Sequence, residues 1–118
     1  PVKPHTSIGL DVTMSCVMPA EACRRRLAGG ALDVVADMAE VWFRERDRIC
    51  FHDPLAGAVI FEPALCTCEE GRVEVELGSE RLAGMTLFAT DGDEKPHRVA
   101  RSVDAGRFFE HYFETVKG

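Results

Sequence analysis

At 118 residues the chain is long enough to bury one hydrophobic core and too short for two ordinary domains, so residues 1–118 are read as a single unit. Its net charge of −6, from 14 Lys and Arg against 20 Asp and Glu, leaves no basic stripe for a nucleic-acid backbone. No apolar run nears the ~20 residues needed to cross a bilayer. Five cysteines form an odd set without the rhythm of a disulfide framework, and no signal-peptide pattern opens the sequence, so the expected location is the reducing cytoplasm.

In chain order, Ile8, Leu10 and Val12 alternate with Gly9, Asp11 and Thr13, which predicts a strand over residues 7–13. This strand is apolar and has no obvious parallel neighbour within the chain, as expected of a strand inside a larger sheet. Pro19 opens a short helix through about residue 28, ended by Gly29-Gly30. Arg24-Arg25-Arg26 falls near its end, where cations complement the dipole, and reads as a solvated helix terminus. A longer helix is expected over residues 32–46, because Val34, Val35, Met38, Val41 and Trp42 recur at helical spacing. Trp42 lies on that apolar face, and core packing accounts for it most simply. Cys16, Cys23 and Cys50 sit in apolar surroundings and read as buried thiols.

A third, mostly buried helix starts at the His52-Asp53 corner and stops near Pro63. The pattern then changes to a period of two. Cys66-Thr67-Cys68 alternates like a strand and lacks a second Cys/His pair at zinc-site spacing, so a strand is preferred over a metal pair. Residues 73–77 and 85–89 alternate on either side of a turn, and residues 98–103 form a further strand. Asp104 caps a last helix that carries Phe108, Phe109, Tyr112, Phe113 and Val116 on one face, with Val103 and Phe108 spaced as a hydrophobic staple. The expected fold is α/β: helices packed on part of an open, Rossmann-like sheet, with a small antiparallel β segment and a C-terminal helix.

Chemistry concentrates in the run Phe51-His52-Asp53-Pro54-Leu55-Ala56. Asp before Pro is a helix-start signal, because the carboxylate accepts from free backbone N–H groups and Pro has none to leave unpaired. Asp53 is therefore an N-cap in the plainest reading. In the sharper one it binds a cation through the oxygen not used for capping, while His52 exchanges protons near neutral pH.

Four segments carry a resemblance: Ile8-Gly9-Leu10-Asp11-Val12-Thr13, His52-Asp53-Pro54-Leu55-Ala56, Gly84-Met85-Thr86, and Arg98-Val99-Ala100 with Val103-Asp104. Their order resembles that in the carboxyl-terminal part of the inosine-uridine-preferring nucleoside hydrolases, and the likeness covers nearly the whole chain. It implies a calcium-dependent N-ribohydrolase that cleaves the bond between ribose and a purine or pyrimidine base, with its site at the carboxyl ends of the strands. By this resemblance Asp53 is a calcium ligand, His52 protonates the departing base, and Trp42 is the aromatic left to line the base pocket. A nucleoside substrate and self-association into a homo-oligomer are implied in the same way.

The family's aspartate-rich motif, which supplies most Ca2+ ligands and the base that activates water, has no counterpart here. Neither does the segment that holds ribose with Asn and Glu. The chain is accordingly expected to be the carboxyl-terminal portion of a nucleoside hydrolase-like domain, with an incomplete calcium site and no activity alone. The remainder of the same protein, or another copy, would complete it. Two local departures bear on base preference: Met14 stands where relatives commonly have His, and Arg44-Glu45-Arg46-Asp47-Arg48 stands where relatives often place aromatics. The alternative expectation is a catalytically silent relative that serves as a ligand-binding or protein-interaction module.

Overall fold

The computed structural model describes residues 5–117. In chain order they form β1 (His5–Ser7), α1 (Leu10–Thr13), β2 (Val17–Pro19), α2 (Ala20–Leu27), α3 (Asp33–Phe43), β3 (Arg48–Cys50), α4 (His52–Phe61), β4 (Cys66–Val75), β5 (Thr86–Ala89), β6 (His97–Val103) and α5 (Ala105–Lys117). Short 3-10 turns occupy Gly30–Leu32 and Pro63–Leu65. Four strands make a mixed sheet in the order β1-β6-β4-β5, and β2 and β3 form a separate antiparallel pair. Among the described residues no helix is long and apolar enough to cross a membrane.

The expected strand over residues 7–13 is a correction. Strand pairing ends at Ser7, and residues 10–13 wind into a helical turn closed by the Val12 and Thr13 N–H groups donating to the Gly9 carbonyl. Val12 is buried and Ile8, still ahead of the helix, half-buried, whereas Leu10 between them is 70% exposed, so the two-residue alternation does not describe which side chains are covered. The short β1 also has a parallel partner within the chain, β6, in the register His5↔His97 through Ser7↔Val99.

The α2 helix and its glycine stop lie where expected, with Gly29 at φ 105° and Gly30 at φ 64°, left-handed conformations that glycine adopts without steric cost. Its arginines do more than face water. Arg24 donates to both carboxylate oxygens of Glu40, at 2.6 and 2.9 Å, tying α2 to α3, and Arg26 donates to the Phe109 carbonyl while its guanidinium lies 4.4 Å from the Phe113 ring centre. The bidentate Arg24 contact holds the Glu40 carboxyl below its ordinary value. The α3 helix ends at Phe43, three residues short of the expectation, and turns its apolar stripe outward: Val34, Met38 and Val41 are 61%, 70% and 62% exposed. Ala36, Ala39 and Phe43 face the core instead. Helical spacing identified the helix but not the side that is covered.

The core joins α1, α2, α4 and α5 over the β4–β6 sheet, with Cys16, Cys23, Leu55, Leu65 and Phe108 fully enclosed. Phe51, just ahead of α4, is its aromatic centre, with ring centres of Phe108, Phe109, Tyr112 and Phe113 at 5.3–6.3 Å. Asp104 accepts the Arg107 N–H at 3.0 Å as the expected cap of α5, and Val103 and Phe108 both enter the core as the staple requires. Cys66-Thr67-Cys68 and residues 73–75 are one continuous β4, bulged between Thr67 and Cys68 against β6. In its middle Gly71 is required by space: a Cβ there would run into the Ala89 carbonyl oxygen and the Phe88 ring. All five cysteines are free, Cys16 and Cys23 buried as expected and Cys50 half-buried.

Candidate active site around His52

Both segments that meet at the site follow a strand's carboxyl end. The α1 turn comes after β1, and His52 opens α4 directly after β3. Phe51 anchors the junction twice, through its buried ring and through its N–H, which donates to the Cys16 carbonyl at 2.9 Å. His52 is thereby set at the surface of a tightly held corner. Its Nδ1 lies 2.7 Å from the Thr13 hydroxyl oxygen and 3.7 Å from the Cys50 sulfur.

Thr13 is the residue that sequence reasoning missed. It was read as a strand end, yet it is the only polar residue in the core among the described residues, 3% exposed. Its backbone is fixed by its own N–H on Gly9, by the Cys16 N–H on its carbonyl at 2.9 Å, and by the Cys50 thiol donating to the same carbonyl at 3.0 Å. Burial pushes the Cys50 thiol above its ordinary pKa, so it remains a protonated donor at neutral pH. A buried hydroxyl needs a partner, and the alternating run before Thr13 gave no sign that this threonine is the buried one.

Trp42 and His52 come together in one small hollow of about 200 Å³, with Ile49 and Cys50 as the other walls. That is below the ~300–1,000 Å³ usual for a complete small-molecule pocket. The core reading of Trp42 is corrected here: the side chain is 43% exposed, its indole N–H donates to the Arg48 carbonyl at 2.9 Å, and the Arg46 guanidinium covers the ring at 4.1 Å. A larger hollow, about 520 Å³, lies between α4 and α5 against Ile60, Phe61 and Tyr112, and its walls are almost wholly apolar. The larger hollow has an imidazole of its own, His111, whereas the smaller one brings His52 beside the Cys50 thiol and the Trp42 indole.

Asp53 does not cap α4. The helix starts two residues earlier than that cap would allow, with Phe51 in the capping position and no side-chain cap, so the Asp53 carboxylate is exposed in the first turn, where its charge complements the helix dipole. It is absent from the walls of the His52 hollow. The helix behind it is also less buried than expected. Leu55 and Val59 are covered, whereas Ile60 and Phe61 are 75% and 82% exposed. Among the described residues no group of three or more His, Cys, Asp or Glu side chains converges to hold a metal ion. Calcium takes six to eight oxygens, so these residues by themselves do not fit it.

Comparison with known proteins gives this corner a context. No protein of curated function matches. The chain is similar to a solved purine-preferring ribonucleoside hydrolase from Gardnerella vaginalis, at 29% identity and a TM-score of 0.74, covering 93% of this chain and 38% of that one. It shares its fold with a plant nucleoside hydrolase (23% identity, TM-score 0.71, 92% and 40% covered) and an inosine-guanosine nucleoside hydrolase (17%, 0.83, 98% and 39%). It therefore spans about two fifths of the length of these solved relatives. The sequence profile of the inosine-uridine preferring nucleoside hydrolases matches residues 2–110, and the chain belongs to that family.

Proposed function

We propose that the chain contributes the base-protonating side of a site that hydrolyses the N-glycosidic bond of purine or pyrimidine nucleosides. The observation that carries this reading is the corner itself, where a half-buried imidazole is oriented through Nδ1 by Thr13 and shares a hollow with an indole whose own N–H is tied down. As the glycosidic C–N bond breaks, its electron pair moves onto the base and water oxygen bonds to the sugar carbon. The base then needs a proton, which His52 in its protonated form gives from Nε2, leaving a neutral ring with its remaining proton on Nδ1. Trp42 forms the wall against which a planar base packs, a contact worth ~1–3 kcal/mol where bases stack on aromatics.

Asp53, with both oxygens free of capping, would give one ligand to a calcium ion. The other ligands, the water-activating carboxylate and the ribose contacts belong to polypeptide outside residues 1–118, either the remainder of the same protein or another copy. Residues 1–118 act on this reading as one unit, the carboxyl-terminal part of the domain. Five free thiols favour a reducing, cytoplasmic setting, and the family likeness favours a homo-oligomer. A catalytically silent ligand-binding or interaction module is the second reading, favoured by the lone position of Asp53.

The test uses the assembled protein. His52→Ala should lower turnover of inosine or uridine by ~10²–10⁴-fold, the usual worth of a positioned acid. It should leave a nitrophenyl riboside, whose leaving group needs no proton, far less affected. Equal loss on both substrates removes the acid role. The isolated chain should hydrolyse neither substrate and bind calcium weakly by titration calorimetry, and tight binding would overturn the assignment of the missing ligands to other polypeptide.

A further inference from the structure

We infer that Thr13 is a positioning residue which holds the His52 ring through Nδ1 and sets its neutral tautomer. The inference rests on the reading of His52 as the proton donor, and it extends that reading to a residue on a different element. The hydroxyl oxygen of Thr13 has two neighbours, His52 Nδ1 at 2.7 Å and the Leu10 carbonyl at 3.4 Å. With neutral His52 the single hydroxyl proton goes to the nearer and stronger acceptor, Nδ1, which leaves the ring proton on Nε2. With Nδ1 engaged in this way, Nε2 is the ring nitrogen left to face a departing base.

The support beneath this contact is built. Thr13 is enclosed, its N–H and carbonyl are engaged by Gly9, Cys16 and Cys50, and its Cα cannot drift without breaking those bonds. Valine has the same shape without the hydroxyl, and serine keeps the hydroxyl without the methyl. Among the described residues the other hydrogen-bond neighbour of Nδ1 is the Cys50 sulfur at 3.7 Å, whose proton is already given to the Thr13 carbonyl, so it cannot donate to Nδ1 in place of the hydroxyl.

The test is nitrogen-15 NMR of the histidine rings in the chain, with His52 assigned by the signals lost in His52→Gln. In the unsubstituted chain the neutral His52 ring should carry its proton on Nε2, with Nδ1 showing the shift of a hydrogen-bonded acceptor. A proton on Nδ1 overturns the inference without any variant. Thr13→Val should change the tautomer ratio about fivefold, the equivalent of one ordinary hydrogen bond, and Thr13→Ser should restore it. An unchanged ratio in folded Thr13→Val, or a Thr13→Ser chain that behaves like Thr13→Val, also overturns it. None of these readouts involves turnover. A fixed tautomer combined with full activity of His52→Ala in the assembled protein would therefore reject the acid reading and leave the Thr13 contact standing.

Discussion

Replacing Phe51 should unsettle the whole chain more than any other single truncation near the site. The ring is 6% exposed and lies within 6.3 Å, centre to centre, of four other aromatic rings, at interplanar angles of 63–90° that favour edge-to-face contact. Phe51→Ala removes buried area and leaves a void that neighbouring rings cannot collapse to fill, a loss of ~3–5 kcal/mol. Phe51→Leu keeps most of the volume and gives up mainly the ring-edge contacts, each worth ~0.5–1.5 kcal/mol but not additive among touching rings, so about 1–2 kcal/mol is expected in total. Phe61, at the other end of α4 and 82% exposed, is the internal control, and Phe61→Ala should stay within ~0.5 kcal/mol of the parent. Urea unfolding followed by far-ultraviolet circular dichroism reads all three. With a slope of ~1–3 kcal/mol per molar for small proteins, Phe51→Ala should lower the midpoint by roughly 2 M at unchanged slope. If Phe51→Ala and Phe61→Ala differ by less than about 1 kcal/mol, the aromatic centre does not hold the corner that carries His52.

Three further outcomes follow from local geometry. Asp104→Ala should cost ~1 kcal/mol of stability in the same unfolding assay, since the Arg107 N–H loses its acceptor, and Asp104→Asn should recover most of it. Gly71→Ala should destabilise by about 1–3 kcal/mol, because the new methyl meets the Ala89 backbone and the Phe88 ring, and an effect within 0.3 kcal/mol (about the scatter of a neutral surface change) would mean that the hairpin yields there. Burial pushes the Cys16 thiol from 9.0 up to about 11, so the folded chain keeps a proton that the unfolded chain releases. Its contribution is complete below pH 9 and is lost as pH rises toward about 11, and Cys16→Ala should flatten that decline in unfolding measured at pH 8, 9, 10 and 11.

Helix α5 was legible because its cap, its staple and its aromatic face agree, and all three are encoded within fourteen neighbouring positions, 103–116. Strand β6 and the Gly29-Gly30 stop were legible for the same local reason. The first strand was misread because alternation of Ile8, Leu10 and Val12 is only a local signal, and the choice fell to contacts with distant residues: the β6 pairing of residues 5–7 and the tie from Thr13 to His52. The outward turn of α3 is likewise absent from its own periodicity, although Arg24 ties the helix to α2 through Glu40. At the site, His52 was visible from its motif, whereas Thr13 was not, because 39 residues of sequence separate two atoms 2.7 Å apart. Asp53 showed the limit of reading caps from Asp-Pro, since the chain entered α4 two residues early, with Phe51 at the cap, and freed the carboxylate.

The β4–β5 hairpin, thin and largely uncovered beyond Gly71, gives the chain the proportions of a paddle rather than a ball. Its extents are 49 × 33 × 22 Å and its radius of gyration is 17.2 Å. A well-rounded chain of ~100 residues would have about 13 Å. Such a particle drags more solvent than its 13.0 kDa mass suggests and elutes early from a sizing column even when single. Subunit counts for this chain are therefore better taken from light scattering or sedimentation equilibrium, which weigh the particle rather than gauge its reach.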